Sequence, residues 1–239
     1  MAIINLLYAK KIKINEKVSV VIPTVGQVLD NEEEYYSILY SITATPMDLM
    51  LELDEAGIDF EKIDDYELFL RQLPAFANSD MSLFFENIDF SKFVIGKNEE
   101  SKEFVLIDTE NDIIIDRGVF MQITDALRRI HHLKKNIRKP KNIEAKEYML
   151  ERAREKRKRA KRRRFRDSEI EPYIISLVNA PEFKYNYEEI RNLTIYQFNE
   201  SLYQILHRVK YDKRMIGVMA GTIDTKNTPS EELTWVKTK

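Results

Sequence analysis

The chain has 239 residues, of which 44% are hydrophobic and 33% are charged, and its formal net charge is −2. This length and composition allow one large domain or two small ones with a buried core. The absence of cysteine excludes disulfide frameworks, thiol nucleophiles and cysteine-ligated metals, and no apolar run reaches the roughly 18 residues of a membrane span.

The small net charge conceals a separation of acidic from basic residues along the chain. Residues 1–100 contain 19 acidic and 8 basic side chains, whereas residues 128–166 contain 19 basic and 4 acidic ones. A basic segment joined to an acidic one can bind an anionic partner, fold back onto its own acidic part, or pair with a second copy of the chain.

The first elements predicted in chain order are two strands and a helix. Apolar, β-branched runs at residues 3–8 and 18–22 indicate a small antiparallel pair of strands. Tyrosine and leucine residues at helical spacing then predict a helix over residues 32–42.

Two further short helices are predicted from their boundary residues. Thr45 precedes a proline, which is the pattern of an N-cap followed by the first helical residue, and Gly57 marks the expected stop. Asp64 or Asp65 is the predicted N-cap of the next helix, which should end at Pro74.

The middle of the chain predicts a β-hairpin followed by a helix. Two apolar β-type runs, residues 104–108 and 112–116, are separated by only three polar residues. Apolar residues recur at three- and four-residue intervals over residues 120–132, as on one face of a helix.

A long basic helix is predicted over residues 143–166. Pro140 blocks continuation of any earlier helix, and Asn142 can cap a new one. The segment contains no glycine or proline and consists mainly of strong helix formers.

Three helices and a loose tail are predicted after the basic segment. Ser168 is the predicted N-cap of the first helix. Apolar spacing places the second over residues 196–207 and the third over residues 213–220, with Gly221 as its C-cap. Residues 227–239 are expected to be loosely ordered, and Trp235 is the one residue of the tail that could be fixed in place.

These elements predict a mainly α fold with a small β component (α+β). We expect a helical, bundle-like body, a short N-terminal β pair, a central β-hairpin and one long basic helix. The charge distribution suggests three parts: an acidic α+β domain over residues 1–135, a basic helical linker over residues 136–167, and a helical domain over residues 168–239.

The basic helix supplies the candidate binding residues. It could be a solvated connector, a surface that pairs with an acidic protein surface of this chain or of a partner, or a site for nucleic-acid phosphates. No helix-turn-helix, zinc-finger or RNA-recognition pattern accompanies it. The candidate residues are Arg152, Arg154, Arg157, Lys158, Lys161, Arg162, Arg163, Arg164 and Arg166.

The sequence shows no catalytic, cofactor-binding or metal-binding motif. His131, His132 and His207 could form a three-histidine metal site, but adjacent helical positions point about 100° apart. The carboxylates at residues 54–65 lack the spacing of a calcium loop and are interpreted as a solvated face. A metal-dependent nuclease is a remote alternative, because no recognisable carboxylate spacing supports it.

Three stretches together resemble a known group of proteins. They are Ile22-Pro-Thr-Val-Gly-Gln-Val-Leu continuing to residue 36, Val178-Asn-Ala-Pro-Glu-Phe-Lys-Tyr-Asn-Tyr, and Ile195-Tyr-Gln-Phe-Asn-Glu-Ser leading to Gly217-Val-Met-Ala-Gly-Thr-Ile-Asp. The combination resembles tail or baseplate morphogenesis proteins, in the manner of tail assembly chaperones, of phages that infect Gram-positive bacteria. The basic helix lies outside these stretches, and the resemblance carries no functional residue.

The resemblance implies a non-enzymatic assembly factor or minor virion component that acts by binding protein. Its expected partners are phage structural proteins, namely tail or baseplate subunits, and a homo-oligomer is an open alternative. The implied location is the host cytoplasm or the virion, without a membrane or a cofactor. From the residues themselves, the alternative function is nucleic-acid binding through residues 152–166.

Overall fold

The protein is mainly helical, as the sequence predicts. The computed structural model describes residues 5–99, 102–161 and 167–237, apart from the side chains of Lys161 and Asn227. Within these ranges the chain forms nine α-helices and two small antiparallel sheets, which confirms the predicted fold class. Short 3-10 helices occupy Phe90–Lys92, Glu189–Asn192, Thr225–Asn227 and Ser230–Leu233.

The N-terminal sheet consists of β1 (Lys11–Lys13) and β2 (Ser19–Val21). The prediction for β2 is confirmed, but the strand predicted at residues 3–8 is wrong for the described residues 5–8. Residues 3 and 4 lie outside the described part. The strand that pairs with β2 alternates lysine with isoleucine, and Ile12 is buried opposite Val20.

Five helices follow: α1 (Val25–Asp30), α2 (Glu32–Thr43), α3 (Met50–Glu55), α4 (Asp65–Arg71) and α5 (Leu73–Phe76). The prediction of α2 is confirmed. Thr45 does not cap α3, because its amide and hydroxyl both donate to the Asp48 carboxylate at 2.9 Å and close a turn instead. Gly57 follows the end of α3 with φ 72°, as expected of a helix stop.

The start of α4 is predicted correctly and its end is not. The Asp64 Oδ1 atom accepts hydrogen bonds from the amides of Tyr66 and Glu67, each at 2.9 Å. Pro74 lies in the first turn of α5, where its missing amide proton costs no hydrogen bond, and α4 has already ended at Arg71.

The second sheet contains β3 (Val94–Lys97), β4 (Phe104–Asp108) and β5 (Ile113–Ile115) in the order β3-β4-β5. The predicted hairpin is confirmed by the antiparallel register that sets Leu106 opposite Ile115. Strand β3 was not predicted from the sequence. Its first two residues are half-exposed, so it lacks the alternation that identified the hairpin.

Helix α6 (Arg117–His131) confirms the helix predicted after the hairpin. The Asp116 carboxylate caps it by accepting from the Val119 amide at 2.8 Å. The helix buries the apolar face that the sequence indicated, including Phe120, Ile123 and Leu127, against α2 and the later helix α9 (Ile195–Met219).

Helix α7 (Ile143–Lys161) is the predicted basic helix, and α8 (Glu171–Val178) follows it. Asn142 caps α7 by accepting from the Ala145 amide at 2.8 Å. The predicted continuation over residues 162–166 lies outside the described residues. Ser168 accepts from the Glu171 amide at 2.9 Å, but the residue that directly precedes α8 is Ile170.

Helix α9 joins two segments that the sequence assigned to separate helices. The separation is wrong, because no glycine or proline interrupts residues 195–216 and the polar residues between the two predictions simply face solvent. Gly221 follows the helix with φ 72°. The tail is also more ordered than predicted: His207 Nε2 contacts the Thr234 carbonyl at 2.7 Å, and Arg208 lies over the Trp235 ring.

Two hydrophobic clusters hold the elements together. The larger one runs from Leu6 to Phe198 and includes close aromatic pairs, among them Tyr35 with Phe84 at 4.7 Å between ring centroids. Residues of α8 and α9 belong to it together with residues of α2 and α6, and the division into three parts stays a prediction. The smaller cluster comprises Ala44, Met47, Leu53, Phe60, Leu68 and Leu150.

Candidate partner-binding surface

Helix α7 lies against α3 and the segment that follows it. Among the described side chains of α7, Leu150 alone is buried, at 6% exposure, and it enters the smaller hydrophobic cluster with Met149 packed beside it. Ile143 and Tyr148, two other apolar residues in the first turns of this helix, are 76% and 60% exposed. One leucine therefore anchors a helix of 19 residues.

Lys146 makes the first polar contact between α7 and the body. Its Nζ atom lies 2.7 Å from Asp59 Oδ1 and 2.9 Å from Glu61 Oε2, and 4.5 Å from the centre of the Phe60 ring. The hydrogen bond from Lys146 lowers the pKa of Asp59, and the same bond raises the pKa of Lys146. Both groups therefore stay charged through the neutral range.

Two arginines continue this contact toward the end of α7. Arg154 pairs with Asp54 at 2.8 Å, and Arg157 pairs with Glu55 at 2.7 Å. The hydrogen bond to Glu55 raises the pKa of Arg157. The acidic cluster, interpreted from the sequence as a solvated face, keeps these carboxylates partly exposed, but they also pair with the basic helix.

The residues of α7 that contact the body lie on one face of the helix. Lys146, Leu150, Arg154 and Arg157 follow one another at intervals of four, four and three residues. Sequence reasoning identified the two arginines as binding residues but missed Lys146 and all four carboxylates. The spacing of these residues is visible in the sequence. The carboxylates that pair with them can be identified only from the fold, which brings α3 beside α7.

The remaining candidate residues occupy different environments. Arg152 lies over the Tyr148 ring at 5.8 Å, and Lys158 is exposed. Lys161 ends the helix, and its side chain is not described. The candidates that lie outside the described residues are Arg162, Arg163, Arg164 and Arg166.

The outward side of α7 carries both signs of charge. Glu144, Glu147, Glu151 and Glu155 are all exposed and recur at intervals of three or four residues. Arg159 lies 3.5 Å from Glu155 on the same helix. Within residues 5–99, 102–161 and 167–237, no carboxylate pairs with Arg152, Lys156 or Lys158, so uncompensated positive charge begins in the middle of α7 and increases toward its end.

The forces that hold α7 in place are weak and consist of one buried leucine and several partly exposed ion pairs. Burial of one leucine side chain contributes about 1.5–3 kcal/mol. Exposed ion pairs contribute little and are screened by salt, and the side chains of Arg154 and Asp54 are 57% and 35% exposed. The position of α7 should therefore depend on ionic strength.

The three histidines have separate neighbours. The Tyr35 hydroxyl and His131 Nε2 share a hydrogen bond at 2.8 Å, and desolvation lowers the pKa of His131 to about 3, which keeps the ring neutral. His132 Nε2 lies 3.2 Å from Glu200 Oε2, and His207 contacts the tail. In the part of the chain that the structure describes, no group of three or more histidines and carboxylates is placed to hold a metal ion.

Part of the chain matches a known protein family. The family described as the YomV second domain matches residues 158–238, about a third of the chain. The matched region runs from the end of α7 through α8 and α9 into the tail. No curated protein and no solved structure matches the chain. Among the described helices, none is both long and apolar enough to cross a membrane.

Proposed function

We propose that the protein is a phage-derived, non-enzymatic assembly factor that binds an acidic surface of a phage structural protein through the cationic end of α7. YomV is a Bacillus phage gene, and the match to its second domain supports the phage origin. The partner would be a tail or baseplate subunit, met in the host cytoplasm, and the protein could remain in the particle.

The observation that carries this proposal is the contact between α7 and the acidic body. In this contact a leucine is buried while two arginines and a lysine pair with carboxylates of a folded protein surface. The helix thus pairs with carboxylates of its own chain, and Lys156 and Lys158, which pair with no carboxylate in the described part of the chain, could bind an external acidic surface in the same way.

The outward glutamates favour a protein partner over nucleic acid. A duplex presents a phosphate every few ångströms, so a face that alternates arginine with glutamate would place carboxylates against phosphates. The carboxylates of a protein surface stand at discrete positions, and such a surface can pair with the arginines and still avoid Glu151 and Glu155.

Binding to candidate partners tests the proposal directly. The variant R162E/R163E/R164E reverses three charges in the basic segment, and R138E/K139E/K141E makes the same change in charge before α7 as a matched control. Each would be co-expressed with tail and baseplate subunits of the same phage and, separately, titrated with duplex DNA. We expect the wild-type protein and the control to form a salt-sensitive complex with a subunit, and the first variant to lose it.

Other outcomes would contradict the proposal in distinct ways. Salt-sensitive retention on DNA that R162E/R163E/R164E abolishes, without a protein complex, would replace it with nucleic-acid binding. Metal-dependent cleavage of DNA by the pure protein would overturn the non-enzymatic part.

A further inference from the structure

Helix α7 is attached to the body at points that solvent can reach. Residues 133–142, which lead into α7, form neither helix nor strand. The Arg157 and Glu55 side chains are 39% and 54% exposed, so an external carboxylate can approach the arginine without prior unfolding. The apolar part of the contact consists of Leu150 and its neighbour Met149.

The surface beneath α7 has the features of a binding groove for a cationic helix. Met47, Leu53, Phe60 and Leu68 form an apolar floor that receives Leu150. Asp54, Glu55, Asp59 and Glu61 surround this floor and meet the cations of α7. The occupant of the groove is a helix of the same chain, which is present at a high effective concentration because it is tethered.

We propose that α7 is an intramolecular latch, in which the carboxylates of the groove compete with an external acidic partner for Arg154 and Arg157. This rests on the proposed function, since it assumes that α7 binds an acidic protein surface. The guanidinium N–H groups that bond to Asp54 or Glu55 are not available to a partner while α7 is docked. Only molecules with an undocked helix offer these N–H groups to the partner. The apparent affinity of α7 for the partner is therefore the intrinsic affinity multiplied by the undocked fraction.

Weakening the groove should free the helix for binding. The variant D54N/E55Q removes two carboxylates that hold α7 and preserves their size. The control E16Q/E182Q removes the same charge from two exposed glutamates, which make no ion pair in the described part of the chain. Poly-glutamate serves as the acidic probe, and its dissociation constant is measured by fluorescence anisotropy at a fixed low salt concentration.

We expect D54N/E55Q to bind poly-glutamate about three- to tenfold more tightly than E16Q/E182Q, which corrects for the change in net charge. Equal affinities of the two variants would overturn the latch and leave the proposed function intact. Absence of binding in every variant, the wild-type protein included, would overturn both.

Amide hydrogen exchange tests the latch without any partner. In D54N/E55Q the amides of α7 should exchange about three- to tenfold faster than in E16Q/E182Q, while those of α6 should exchange at the same rate in both. Unchanged exchange of α7 would show that the carboxylates do not hold the helix, and would overturn the latch whatever the binding data show.

Discussion

Helices α6 and α7 are neighbours in the chain and comparable in length, but they are held in opposite ways. Of the 15 residues of α6, six are buried: Phe120, Ile123, Thr124, Ala126, Leu127 and Ile130. Of the described side chains in the 19 residues of α7, Leu150 alone is buried. The first helix is part of the core, and the second is placed on the surface by one leucine and a row of ion pairs.

Because the two helices are held by different forces, substitutions in them should affect different properties of the protein. Apolar burial is insensitive to salt and cannot be exchanged for a partner without unfolding. Exposed ion pairs are screened by salt and exchange with any competing charge. Changes in α6 should therefore affect global stability, whereas changes in α7 should affect the local position of that helix.

The largest expected effect is that of Phe120→Ala. Phe120 is 2% exposed and its ring centre lies 4.7 Å from that of Phe69, so truncation leaves a cavity in the main core. We expect a loss of about 3–5 kcal/mol in the free energy of unfolding, measured by urea denaturation. Met121→Ala, at a residue that is 56% exposed, is the matched control and should change stability by at most about 0.5 kcal/mol.

Leu150→Ala should release α7 without unfolding the body. The expected local cost of about 2–3 kcal/mol corresponds to an increase of roughly 30- to 150-fold in the population of undocked helix. Trypsin measures this directly, since the helix is rich in lysine and arginine, and cleavage within residues 143–161 should accelerate. Tyr148→Ala should not change the cleavage rate, and a global loss of stability in Leu150→Ala would contradict the local role.

His131 gives α6 a dependence on pH that α7 lacks. Burial lowers the pKa of His131 from 6.5 to about 3. Below pH 6.5 the unfolded chain therefore binds a proton at His131, whereas the folded protein does not. Stability should thus fall as the pH falls, by about 1–2 kcal/mol between pH 7 and pH 5.

The matched variants for this dependence are His131→Gln and His207→Gln. Glutamine at position 131 can still form a hydrogen bond with Tyr35 but does not titrate, so the stability difference between pH 7 and pH 5 should shrink. His207→Gln is the control and should keep the wild-type difference, because the ring of His207 contacts the Thr234 carbonyl at an exposed position of the tail. Equal pH dependence in all three proteins would show that His131 is not desolvated.

The smallest effect concerns the lysine that begins the α7 contact. Removing its hydrogen bond in Lys146→Gln should raise the pKa of Asp59 toward its ordinary value, as measured by carboxyl NMR titration. Lys62→Gln is the control: Lys62 lies 3.6 Å from Asp59, and its electrostatic contribution to the pKa is the smallest among the identified causes. A larger shift in Lys62→Gln would mean that Lys146 does not make the dominant contact.

The sequence predicted elements whose signals are local. The hairpin of β4 and β5, helix α6 and the Asn142 cap follow from alternation, helical spacing and a capping side chain. The predictions failed where the signal was ambiguous. Residues 5–8 are as apolar as a strand but form none, and the polar stretch inside α9 resembled a break between two helices.

The candidate surface was predictable only in part. The basic residues and the acidic cluster are both visible in the sequence, about 90 positions apart. The pairing of Arg154 with Asp54 depends on how α3 and α7 meet, which is decided by the packing of Leu150 among residues distant in the chain. The spacing of residues within either segment does not indicate which residues of the other segment they contact.

Amide hydrogen exchange of the unmodified protein at increasing salt concentration tests this account most directly. From 0.05 to 0.5 M NaCl, the amides of α7 should exchange progressively faster while those of α6 keep their protection, because α7 depends on ion pairs beside a single buried leucine, whereas α6 is held mainly by its buried apolar face. If α7 remained as protected as α6 throughout the titration, the helix would be held by forces other than the carboxylates, and the account of a releasable cationic helix would be contradicted.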